Sequence, residues 1–81
     1  MQIEMKFFSG LQEYLPENSS KNSCRIETSQ GNSVEDILHE LKIPCQRLSG
    51  LLIMANGIHV KLGYVPKNGD VVSVFPAIAG G

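Results

Sequence analysis

Hydrophobic and polar positions alternate from Gln2 to Phe8. Ile3, Met5 and Phe7 fall on one side, and Gln2, Glu4 and Lys6 on the other. A period of two marks a strand with one buried face. Ser9-Gly10-Leu11-Gln12 has the spacing of a capping box, which predicts a short helix through about Tyr14, stopped at Pro16. Pro16 to Ser23, PENSSKNS, is a polar connector, and CRIET (Cys24 to Thr28) predicts a second short strand. The clearest helix follows. Ser33 can cap it, Asp36 favours the first-turn amides, and Val34, Ile37, Leu38 and Leu41 form one apolar stripe. Lys42 lies near its carboxyl end, and Pro44 prevents continuation.

After a loop through Gly50, LLIMA (Leu51 to Ala55) is apolar on both faces, as a central strand would be. Asn56-Gly57 is a strong hairpin signal, because both central positions of a type I′ turn need positive φ. IHV then returns as a strand, KNGD (Lys67 to Asp70) makes another turn, and VVSVF (Val71 to Phe75) is the last strand. The order is strand, short helix, strand, helix, strand, hairpin strand, strand. It predicts an α+β domain with a mixed sheet packed on one main helix, by analogy a β-grasp. No internal repeat or linker divides the chain, so residues 1–81 form a single domain with 77–81 as a projecting tail.

Composition narrows the functions open to it. A domain of 81 residues buries only about 60% of the surface of its unfolded chain, which argues against a deep, walled active site. The net charge is −1, and the seven Lys and Arg are scattered. No basic run can track a phosphate backbone, so nucleic acid is not an expected partner. MQIEMKFF is not a signal peptide and no segment could span a bilayer, so no membrane is expected and the cytoplasm is the default location. Cys24 and Cys45 are too few for a disulfide scaffold and read as thiols.

Cys24, Cys45, His39 and His59 do not have the spacing of a zinc knuckle, so no metal site is expected. A ferredoxin cluster would need four cysteines. His39 falls outside the apolar stripe, and Glu35, Asp36 and Glu40 read as a solvated helix face. The chemistry is concentrated at the end of the sequence, FPAIAGG. Pro76 has no amide hydrogen and is expected to end the sheet ladder. Ala77 to Gly81 has little to bury and is expected to project as a thin thread. Gly80 lets that thread enter narrow channels, and Gly81 offers an α-carboxylate with a reference pKa of about 3.5. Phe75, Pro76 and Ile78 either close the core or form a partner-docking patch. For Phe75 docking is favoured, because Val72 and Val74 lie on the opposite face of the strand.

MANGIHV followed by PKNGDVVSVFPAIAGG resembles the ubiquitin-like sulfur carriers, above all the small subunit of molybdopterin synthase, the MoaD family. The shared features are the hairpin NG, the GD turn before the last strand and a closing FP with a small tail and GG. The first strand running into FF also fits this branch better than the thiamine-pathway carrier, ThiS. Ala77 stands where the family often has a second proline, and VKLGYVP lacks the common aspartate-threonine approach to the last turn. The resemblance implies a non-catalytic carrier that binds no cofactor itself. A ubiquitin-activating-enzyme-like adenylyltransferase would use ATP to adenylate Gly81. A persulfide protein would supply sulfur to form a thiocarboxylate, and the molybdopterin synthase large subunit would receive the tail. Delivery of sulfur to thiazole, to cysteine or to a tungsten cofactor, and conjugation to lysines as a ubiquitin-like modifier, stay open as alternatives.

Overall fold

The computed structural model describes residues 1–16 and 19–76. Its strands are β1 (Gln2–Phe7), β2 (Ser23–Glu27), β3 (Leu51–Ala55), β4 (Ile58–Val60) and β5 (Val71–Pro76). Its helices are α1 (Val34–Glu40) and the single turn α2 (Cys45–Leu48), with a 3-10 turn at Leu11–Tyr14. The sheet order is β2-β1-β5-β3-β4. β1 and β5 run parallel at its centre, and the other neighbouring pairs are antiparallel. This is the mixed sheet over one main helix that the pattern predicts.

One face of the sheet carries the core. Ile3, Met5 and Phe7 of β1, Val72 and Val74 of β5, and Ile53 of β3 are buried against Val34, Ile37 and Leu38 of α1. Leu11, Ile43 and Leu48 close the ends of that layer. The start of α1 forms as its sequence dictates. The Ser33 hydroxyl accepts from the Asp36 amide at 3.2 Å, and the Asp36 carboxylate accepts from the Ser33 amide at 3.0 Å. Both remaining first-turn amides are satisfied from the 61–64 loop, Val34 N–H by the Tyr64 carbonyl and Glu35 N–H by the Leu62 carbonyl.

Several expectations give way. Ser9-Gly10-Leu11-Gln12 forms no capping box. Ser9 and Gly10 take left-handed conformations (φ 56° and 93°), so the Ser9 side chain does not cap, and a 3-10 turn results. The Gln12 side chain instead accepts from the Gly10 amide at 2.7 Å. α1 ends before Pro44, because Lys42 turns left-handed (φ 66°) and sends Ile43 into the core. Pro44 then becomes the N-cap of α2, which the sequence pattern does not reveal. Pro76 lies inside the ladder, not beyond it. It is the last residue of β5, opposite Leu51, because a proline removes only its own donor from the pairing.

The two turn motifs meet in space. Asn56 and Gly57 have positive φ (52° and 84°), as a type I′ hairpin requires. Asn56 Nδ2 donates to Asp70 Oδ1 at 2.9 Å, and Asn56 Oδ1 accepts from the Val71 amide at 2.9 Å. Asp70 Oδ2 accepts from the Tyr64 hydroxyl and from the Lys67 amide, both at 2.9 Å. Asp70 thus ties the β3–β4 turn and the 64–67 loop to the first residue of β5. The Lys67 amide hydrogen bond, helped by those from Asn56 and Tyr64, holds the Asp70 carboxyl below its ordinary pKa. Donation to Asp70 in turn raises that of Tyr64.

Two measurements follow from this packing. Phe7→Ala should cost about 3–5 kcal/mol in urea unfolding, whereas Phe8→Ala, one residue on and outside the core, should cost about 1 kcal/mol. The depressed Asp70 pKa stabilises the fold above the unfolded-state carboxylate value of about 3.9, and that contribution is lost as pH falls through the folded-state pKa. Asp36, lowered by the Ser33 amide, and Glu27, lowered by the Met1 amine, act in the same direction. Asp70→Asn should therefore destabilise by about 1–3 kcal/mol at neutral pH and flatten the acid limb of a stability–pH curve.

Candidate functional site

Strand β5 carries its neighbours' side chains into rows across the sheet. Phe7 of β1 lies opposite Val74, which brings Phe8 level with Phe75. From the other side, Leu52 lies opposite Phe75 and Leu51 opposite Pro76. Val72 and Val74 point into the core, so alternation turns Phe75 to the face away from α1. There its ring stacks on Phe8, with centroids 4.7 Å apart and planes within 8°. Leu52 is 39% exposed on the same face. Phe8, Phe75 and Leu52 thus form an apolar row over β1, β5 and β3, beside the point where β5 ends.

The next row is more polar: Lys6, Ser73, Met54 and His59 are successive cross-strand neighbours. Lys6 approaches Glu4 at 3.9 Å. The apolar row therefore has a positive charge and an imidazole along its border. The side chains of Phe8, Phe75 and Leu52 are hydrocarbon, so the row itself offers apolar contact area. The shallow hollows on β1 and β2 lie elsewhere. One, of about 200 Å³, is lined by Gln2, Ile3, Glu4, Arg25, Asn68 and Gly69.

Of the sequence candidates, Phe75 and Pro76 lie at this place. Phe75 is half-buried on the outer face and does not close the core. Ile78, Gly80 and Gly81, with the rest of 77–81, lie outside the described residues. Phe8 and Leu52 were missed. The FF doublet carried the signal for Phe8, since strict alternation sends Phe7 inward and Phe8 outward. Leu52 was hidden in a segment apolar on both faces. Cys24 is half-buried, Cys45 is exposed, and both are free thiols. His39 is exposed and lies 3.8 Å from Glu35. Among the described residues no three His, Cys, Asp or Glu side chains gather as a metal site, and no helix is long and apolar enough to cross a membrane.

Solved structures share this fold. The HVO 2177 protein of Haloferax volcanii superposes with a TM-score of 0.79 at 26% identity, covering 100% of this chain and 87% of that one. SAMP1 from Haloferax volcanii gives 0.70 at 22% identity over 100% of both chains. A chain from the complex of subunits 1 and 2 of molybdopterin-converting factor from Helicobacter pylori gives 0.63 at 22% identity, again over 100% of both. At these identities the last two likenesses speak for the fold alone. No curated protein sequence matches the chain. The model of the Mut7-C ubiquitin family matches residues 1–80. The chain therefore belongs to the Mut7-C ubiquitin family and has the ubiquitin-like β-grasp fold.

Proposed function

We propose that this chain is a sulfur carrier whose Gly81 carboxylate is adenylated and converted to a thiocarboxylate. The observation that carries the reading is the position of β5. It is paired with β1 as far as Val74 and with β3 as far as Pro76, and it runs beside the Phe8–Phe75–Leu52 row. A rigid strand and an apolar docking row thus precede the sequence AIAGG. Docking on Phe75, Pro76 and Ile78 would fix the domain on a partner while Gly80 and Gly81 enter that partner's channel.

The chemistry explains the need for partners. A carboxylate is a poor acyl donor because its charge is delocalised and oxide is a bad leaving group. In a ubiquitin-activating-enzyme-like adenylyltransferase, a Gly81 carboxylate oxygen attacks the α-phosphorus of ATP and pyrophosphate leaves. The terminal sulfur of a donor persulfide then attacks the acyl carbon of the adenylate and AMP leaves. A thiol reduces the resulting acyl disulfide, and the thiocarboxylate is freed as a nucleophile. In the molybdenum reading, the molybdopterin synthase large subunit receives the tail and supplies the acid–base groups for sulfur transfer to a pterin. A chain of the molybdopterin-converting factor complex shares the fold that this reading needs. The need for ATP and free thiols favours a cytoplasmic location. The likeness to SAMP1 supports a second reading, in which a lysine amine attacks the same adenylate and the chain becomes a protein modifier.

Intact mass after incubation with ATP, the activating enzyme and a persulfide donor decides between them. The carrier reading expects a gain equal to sulfur replacing oxygen, located on Gly81. Lysine-linked adducts without that product would support the modifier. Adding one bulky residue after Gly81 should abolish the mass gain. Phe75→Ala should weaken binding to the activating enzyme at least about tenfold, measured by calorimetry, while the circular dichroism of the domain is kept.

A further inference from the structure

We propose that the free edge of β2 pairs with the same edge of a second copy of this chain, antiparallel about Ile26, in a symmetric and weak dimer. β2 is the outer strand of the sheet beside β1. Ile26 faces Ile3 and Cys24 faces Met5. The Phe7 amide donates to the Asn22 carbonyl and the Thr28 amide to the Met1 carbonyl, each at 2.8 Å. These bonds set the phase of the ladder. Residues 22, 24, 26 and 28 turn their backbone groups toward β1, and residues 23, 25 and 27 turn theirs outward. The Ser20 amide already occupies the Ser23 carbonyl at 2.9 Å. Arg25 and Glu27 are left presenting their amides and carbonyls off the edge. Among the described residues, only the Cys24 thiol, 3.4 Å from the Arg25 carbonyl, touches one of them.

Edges of this kind are usually blunted by proline, a bulge or a covering element. Ser23–Glu27, SCRIE, has no proline, and its register with β1 runs without a bulge. Its side chains also select a partner. Pairing about Ile26 sets Arg25 opposite the second copy's Glu27, and Glu27 opposite the second copy's Arg25. Each such pair exchanges two backbone hydrogen bonds, so the four free donors and acceptors match one another. Arg25 and Glu27 are both exposed and lie on the same face, so opposite charges stand across the seam twice. Ile26, half-buried, meets its symmetry mate at the non-hydrogen-bonded position, where side chains approach most closely. Pairing about Arg25 instead would set two arginines face to face.

The contact involves few residues and falls well below the area of a stable interface, so the dimer depends on concentration. Its two-fold axis stands perpendicular to the sheet. Both Phe8–Phe75–Leu52 rows therefore stay open on one side of a continuous sheet, and the two β5 strands end at opposite extremes of it.

Sedimentation equilibrium on the full chain, from micromolar to millimolar concentration, tests this. The average mass of the wild type should rise toward that of a dimer. Arg25→Glu and Glu27→Arg should each weaken association at least about tenfold, because like charges then face each other. An equimolar mixture of the two variants should regain it, since Glu at position 25 of one copy then meets Arg at position 27 of the other; this also shows that both variants are folded. A wild type that stays monomeric at millimolar concentration overturns the proposal. Association indifferent to both reversals, or not restored by mixing, also overturns it.

Discussion

The parallel pairing of β1 with β5 holds the rest of the molecule in place. It joins segments from opposite ends of the described chain at the middle of the sheet. On its inner side it lines up Ile3, Met5, Phe7, Val72 and Val74, the floor on which α1 packs. On its outer side it brings Phe8 and Phe75 into contact. Register is critical, since a slip of one residue would drive Phe75 into the core and expose Val74. Asp70 guards against that slip from the position just before the strand, where the β3–β4 turn and the 64–67 loop are bonded to it.

Features set by near neighbours in sequence were legible in it. The alternation of β1, the apolar stripe of α1, the Ser33–Asp36 cap and the Asn56-Gly57 turn all depend on residues a few positions apart. The failures also have local causes. Ser9-Gly10 matched the letters of a cap, but glycine at the second position admitted a left-handed path that no cap uses. α2 is a single turn after a proline, too short to show a period. The site was half legible. Phe75 and Pro76 stood out beside the tail, but Phe8 and Leu52 join them only through strand order, which is a tertiary fact. Likewise NG and GD announced two turns, not that Asn56 and Asp70 bond to each other.

The molecule divides its labour in space. The core face supplies stability, and the outer face supplies an apolar row bordered by Lys6 and His59. In the proposed function, catalysis belongs to the partners, and this chain contributes a handle and an acyl group. That division suits a domain too small to enclose a walled active site. On that reading one surface serves successive partners, because each needs to recognise only the row and accept the residues after Pro76.

The central ladder also orders events during synthesis. On a ribosome, β1 emerges early but lacks its inner neighbour until residues 71–76 have left the exit tunnel. Helices and hairpins can flicker beforehand, yet the hydrophobic floor stays incomplete and the domain stays open. Closure therefore coincides with the arrival of the residues just ahead of the tail. An enzyme that recognises the Phe8–Phe75 stack meets it only on a chain whose sheet has already formed, so the stack itself certifies that folding has finished.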